Sequence, residues 1–118
     1  MSFKDLKVWQ LGKSLAVEIY RLTDAEKFRF DHGLRDQMRR AAVSIPSNIA
    51  EGDERDTDKE AVRFFYIAKG SIAELNTQLI IAKEIGYVGS EAFSRIEEAC
   101  NHIASMLGSL IKARRTRP

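Results

Sequence analysis

Leu34-Arg35-Asp36-Gln37-Met38-Arg39-Arg40-Ala41-Ala42-Val43-Ser44-Ile45-Pro46-Ser47-Asn48-Ile49-Ala50-Glu51-Gly52 is the stretch that decides the fold. Leu34, Met38, Ala41, Ile45 and Ile49 recur every three or four residues, which is the period of one helical face. Ala41, Ala42 and Ser44 crowd the middle with small side chains, so a neighbouring helix can approach closely there. Pro46 removes a backbone donor and crowds the preceding turn. The apolar rhythm continues past it, so a kink over 42–46 is expected rather than a break. Gly52 reads as the C-terminal stop of a helix over 32–52.

The same rhythm extends to both sides. Before this stretch, Val8, Leu11, Leu15, Ile19 and Leu22 place a helix over 4–22. Leu6, Trp9, Ala16 and Tyr20 form a second apolar stripe on it, an arc wider than one seam of a small bundle requires. Either that helix sits deep or one stripe packs against another subunit. After a charged link, Thr57 and Glu60 read as a capping box opening a helix over 57–85. Its stripe is Ala61, Phe65, Ala68, Ile72, Leu75, Leu79 and Ala82. Gly86-Tyr87-Val88-Gly89 is a turn, and Ser90 reads as the cap of a fourth helix over 90–112. That helix carries Phe93, Ile96, Cys100, Ile103, Leu107 and Leu110, and a basic tail over 112–118 follows. Short links make successive helices antiparallel, so the expected fold is all-α: an up-down-up-down antiparallel four-helix bundle forming a single domain over 1–118.

Composition agrees and excludes much. With 118 residues, one domain with one core is expected. A hydrophobic content of 44% excludes a disordered chain. Seven Gly and two Pro are too few for a turn-rich β-sandwich. The single cysteine, Cys100, excludes an internal disulfide framework and suits a reducing compartment. No apolar run approaches the roughly 20 residues of a membrane helix. The charged start Met1-Ser2-Phe3-Lys4-Asp5 lacks a signal-peptide apolar region. A cytoplasmic protein without membrane contact is expected.

Few residues support catalysis. A di-iron bundle needs Glu-x-x-His pairs on two helices. Here His102 is preceded three residues earlier by Ala99, and Glu98/His102 is an isolated i, i+4 pair. No metal site and no cofactor are expected. Cys100 lies on an apolar stripe, where thiols are buried and inert. Neither Gly86 nor Gly89 belongs to a phosphate-cradling loop. The chain reads as a non-enzyme with no catalytic residues.

Polar residues inside the apolar helices are more informative. Ser44, Asn48 and Glu51 share one face of the second helix, and Gly70, Ser71 and Glu74 share one face of the third. A hairpin turning around Glu54 and Arg55 puts Ser71 near Met38, Gly70 near Arg39 and Glu74 near Arg35. Glu74 is then expected to be buried and paired with Arg35 or Arg39. The group reads either as a hydrogen-bonded layer fixing register or as a ligand or partner site at the seam. Basic residues form two clusters, Arg35, Arg39 and Arg40 on the second helix and Lys112, Arg114, Arg115 and Arg117 in the tail. Residues 53–88 carry 7 acidic against 5 basic residues, so charge is segregated. Basic clusters bind nucleic-acid phosphates by releasing counterions. The total charge is only +2, so phosphate binding gains from an oligomer that repeats the tail, whereas a tail in one copy reads equally as a solubilising end.

The segment Gln37 to Gly52, preceded by Phe3-x-x-Leu6-x-Val8-Trp9-Gln10 and followed by Gly70-Ser71-x-x-Glu74-Leu75, resembles the four-helix-bundle family of the 23S rRNA intervening-sequence protein. The resemblance covers nearly the whole chain, including Gly86-Tyr87. The family is in turn similar to the accessory protein of diversity-generating retroelements, a pentameric barrel of four-helix bundles that binds nucleic acid and a reverse transcriptase. The resemblance implies a non-enzymatic homopentamer with a role on RNA or DNA. Arg39, Arg40, Ser44, Asn48, Glu51, Gly52, Gly70, Ser71, Glu74 and Leu75 match the family's motif, and no catalytic or binding role comes with them. The two expected functions are a homo-oligomeric nucleic-acid-binding accessory protein and a protein–protein adaptor presenting a surface to a partner enzyme.

Overall fold

The structure is a computed structural model describing all 118 residues. Four helices fill it: α1 (Lys7–Leu22), α2 (His32–Asp53), α3 (Asp58–Glu84) and α4 (Ser90–Arg115). A short 3-10 turn, Phe3–Asp5, precedes α1, and a second, Glu26–Phe28, links α1 to α2. Each helix packs against its chain neighbours, and α4 closes back on α1, while the backbones of the diagonal pairs stay apart. This is the expected up-down-up-down bundle. It measures 50 × 20 × 20 Å.

One core runs its length. Leu15, Ile19, Met38, Ile45, Ile49, Phe65, Leu75, Leu79, Ile96, Ile103 and Leu107 are all buried. Pro46 lies inside an uninterrupted α2, and Cβ of a side chain at Gly12 of α1 would sit 3.6 Å from its ring. The first stripe of α1 faces this core. The second is only partly covered: Ala16 is buried, Leu6 and Trp9 pack against the core, and Tyr20 stays exposed.

The helix ends depart from expectation in four places. Gly52 does not stop α2, which continues through Asp53. It is buried, and a Cβ there would come 2.6 Å from Cε1 of Phe65 and 3.0 Å from the Ala61 carbonyl. Its lack of a side chain lets α3 lie against α2. At Thr57 only half of the capping box forms, with Thr57 Oγ1 accepting from the Glu60 amide at 3.2 Å. The Glu60 carboxylate lies instead 4.0 Å from Arg63. Ser90 is the first residue of α4 rather than its cap, which is Gly89. The fourth helix extends to Arg115, so Lys112, Arg114 and Arg115 of the tail belong to its last turn.

The turn at Gly86, with φ +85°, does need glycine. It is tied to the α1–α2 link by Lys27 Nζ, which donates to the Gly86 carbonyl at 2.9 Å. Tyr87 donates to Asp31 Oδ2 at 3.0 Å and stacks edge-on against Phe28. That hydrogen bond holds the phenol above its ordinary pKa.

Candidate functional site

The two basic clusters lie at opposite ends of the 50 Å bundle. Arg35, Arg39 and Arg40 belong to the first turns of α2, beside the C-terminus of α1. Arg39 closes that terminus: Nε donates to Thr23 Oγ1 at 2.8 Å and Nη2 to the Tyr20 carbonyl at 3.3 Å, with the guanidinium 4.6 Å over the Tyr20 ring. Arg35 bonds His32 Nδ1 at 2.6 Å and meets Asp36 at 3.4 Å. Neither touches Glu74. Arg40 is exposed and has no carboxylate partner.

At the other end the tail divides. Arg114 is a clamp, only 16% exposed, with Nη2 3.0 Å from Asp53 Oδ1 and Nη1 3.8 Å from Asp58 Oδ1. Its guanidinium also lies 5.5 Å over the Phe65 ring, so one side chain ties the end of α2 to the start of α3. Arg117 binds Asp58 in a bidentate pair, donating from Nε to Oδ2 at 2.9 Å and from Nη2 to Oδ1. The hydrogen bond from Arg117, then the charges of Arg117 and Arg114, hold the Asp58 carboxyl below its ordinary pKa despite partial burial. Lys112 and Arg115 meet no carboxylate. Arg115 Nη1 donates to the Tyr66 hydroxyl at 3.1 Å.

This division exposes a groove between α3 and α4. A hollow of about 340 Å³ is lined by Tyr66, Lys69, Gly108, Ile111, Lys112, Arg115 and Thr116. A second of the same size shares Arg115 and adds Asp58, Lys59, Val62, Arg114 and Arg117. Gly108 helps to leave the room, since a Cβ there would meet nothing within 4 Å. Lys59, Lys69, Lys112 and Arg115 are free of ion pairs in this wall, and Asp58 is its single acid. Lys59, Tyr66 and Lys69 went unread in the sequence. Their spacing of seven and three residues puts them on one face of α3, which is the signal that identifies them.

Other chemistry finds little support. Cys100 is fully buried, and desolvation, reinforced by Glu97 and Glu18, pushes its thiol up to about 11. A thiol so held is no nucleophile at neutral pH. Glu98 and His102 are exposed, and no third ligand joins them. No helix is long and apolar enough to cross a membrane.

The sequence pattern of the 23S rRNA-intervening sequence protein family matches residues 4–109. The chain belongs to that family. Its fold is similar to the crystal structure of a protein of unknown function from the S23 ribosomal protein family of Bacteroides thetaiotaomicron. The TM-score is 0.82 at 24% identity, covering 89% of this chain and 98% of that one, so the likeness is one of fold. No curated protein matches the chain.

Seven of the motif residues separate into three kinds. Ser44, Ser71 and Asn48 form a small polar layer: the two hydroxyls meet at 2.8 Å, and Asn48 Nδ2 donates to the Ser44 carbonyl and hydroxyl at 2.8 and 2.9 Å. Ser71 therefore faces Ser44 rather than Met38, because Gly52 admits Phe65 and sets a later register for α3. Gly52 is a close-packing position. Glu51, Gly70 and Glu74 are exposed, which corrects the expectation of a buried Glu74. Glu51 pairs with Arg55 in the link just past α2, and Glu74 has neither a hydrogen bond nor an ion pair. Arg39 faces α1 and Arg35 bonds His32 and Asp36 on its own helix, so neither is left to hold Glu74 in the seam.

Proposed function

We propose that the protein is a non-enzymatic, homo-oligomeric accessory protein of the cytoplasm that binds the RNA or DNA backbone through the α3/α4 groove. The observation that carries this is the row of unpaired cations, Lys59, Lys69, Lys112 and Arg115, along one open wall of the bundle. Phosphates satisfy such charges and release counterions, whereas a protein partner would need carboxylates in matching positions. Arg35, Arg39, Arg114 and Arg117 are engaged within the fold, so Lys112 and Arg115 carry the role first assigned to both clusters. Arg40, at the far end, is a separate free charge.

Oligomerisation is supported by two exposed apolar faces. Val17, Tyr20 and Val43 lie on α1 and α2, and Ile67 and Ile81 on α3 with Ile85 as its C-terminal cap. Two different faces suit a head-to-tail ring, and the family resemblance favours five copies. A ring repeats the groove and multiplies weak contacts. The same isoleucines favour a second reading, an adaptor docking a partner enzyme by its apolar face.

Light scattering gives the mass of the assembly, and a 13.4 kDa particle at micromolar concentration would overturn the ring. Fluorescence anisotropy with labelled RNA and DNA tests the groove. Binding is expected to fall by about 300-fold or more between 50 and 200 mM salt if roughly six phosphates are engaged across the ring. The variant Lys69→Ala/Lys112→Ala is expected to weaken binding and flatten that slope. No binding at low salt by the intact protein would move the adaptor reading ahead.

A further inference from the structure

The α3/α4 wall holds one aromatic ring among its cations, and the fold makes little use of it. Tyr66 is 49% exposed and stands outside the packed core, although Phe65 beside it is fully buried. Its hydroxyl is held by Arg115 Nη1 at 3.1 Å, so the ring is fastened at one edge while half its surface stays open. Lys59 lies seven residues before it and Lys69 three after, about 10 Å and 5 Å along the helix. Lys112 and Arg115 face it from α4.

We propose that this groove takes single-stranded nucleic acid and that Tyr66 is the platform on which one base stacks. The inference rests on the groove being the nucleic-acid surface proposed above. In a duplex each base is already stacked and paired, and it has no face to offer a side chain without leaving the helix. A duplex would therefore touch only the cations. An unpaired strand supplies phosphates to Lys59, Lys69 and Lys112 and a free base to the ring between them. Every base has a π-face, so the contact is tolerant of sequence. The bond from Arg115 fixes the ring before the strand arrives, which lowers the ordering cost of binding.

The test is anisotropy of labelled oligo(U), oligo(dT) and a mixed-sequence duplex, each of about 20 nucleotides per strand, against the full chain. The single strands are expected to bind more tightly than the duplex. Tyr66→Ala is expected to weaken single-strand binding by about 5- to 150-fold, the range for loss of one stacked base, and to leave duplex binding within about twofold. Tyr66→Phe keeps the ring but loses the Arg115 bond that fixes it, and is expected to weaken single-strand binding by only about two- to threefold. If alanine lowers the melting midpoint, Tyr66→Leu repeats the test with apolar bulk retained. Lys69→Ala/Lys112→Ala is expected to weaken all three probes alike. Should that charge variant weaken binding while Tyr66→Ala affects strands and duplex equally, or neither, the stacking role is overturned and the groove stands. Should the charge variant change nothing, the groove itself falls. Agreement between oligo(U) and oligo(dT) within about threefold supports recognition through the ring face alone. A larger gap assigns the site to the tighter strand.

Discussion

The two flanks of α3 are built on opposite rules. Toward α2 the helix packs until a single methyl group has no room, with Gly52 under the Phe65 ring and Ser44 against Ser71. Toward α4, in its first half, the helix stands off behind Lys59, Tyr66 and Lys69, and Gly108 opposite leaves a groove. Small side chains bring two helices together, and nothing can then enter between them. Long cationic side chains keep their charged heads in water and leave a wall that a partner can read. One flank holds the fold and the other is available for function.

Gly52→Ala should give the largest effect on stability. Phe65 is fully buried and cannot swing aside, and the Ala61 carbonyl blocks the other direction. Overpacking of this kind costs about 1–3 kcal/mol, beyond the ~1 kcal/mol that alanine gains over glycine in a helix. Urea unfolding should show a lower midpoint at an unchanged slope, and adding Phe65→Leu should recover part of the loss. An unchanged midpoint would remove the reason for calling this flank closed.

Next comes the polar layer. Ser44→Ala strips a partner from Ser71 and one from Asn48, and should cost about 1–2 kcal/mol. Glu74→Ala should change stability by less than about 0.5 kcal/mol, because the carboxylate is exposed and unpaired. The contrast between these variants sharpens the boundary of the closed flank. Gly70→Ala should stabilise an isolated bundle by up to about 1 kcal/mol, since a Cβ there meets nothing. A loss of assembly mass instead would place Gly70 under a second copy.

The bundle was legible because its signal is periodic. The core positions Met38, Ile45, Ile49, Phe65, Leu75 and Leu79 all fall on the expected stripes and are all buried. What a linear reading missed were relations between helices. The register depends on one missing Cβ at Gly52, and glycine in a sequence does not reveal whether it stops a helix or admits a ring. The pairing of Arg114 and Arg117 depends on Asp53 and Asp58 about sixty residues away, brought alongside only by the fold. Counting tail charges therefore overstated the free ones. Lys59, Tyr66 and Lys69 looked like ordinary surface residues of a charged helix until α4 supplied the opposite wall.

Asp58 gives the smallest effect and links the two flanks. It is the first residue of α3, where a negative charge suits the helix dipole, and it carries Arg117 and part of Arg114. Its carboxyl is held below its ordinary pKa of 3.8, first by the hydrogen bond from Arg117. The stability it contributes is therefore present above that ordinary value and is lost as pH falls through the lower value of the folded protein. Asp58→Asn should flatten the fall of the melting midpoint below about pH 4 and lower it only slightly at pH 7, because the pair is open to solvent. The same substitution removes the only acid from the groove and frees Arg117. Nucleic-acid affinity at low salt should then rise by about two- to fivefold, and the gain should fade as salt screens the wall. A fall in affinity would mean that Asp58 positions Arg117 for its ligand. The clamp at the closed flank would then be part of the open one.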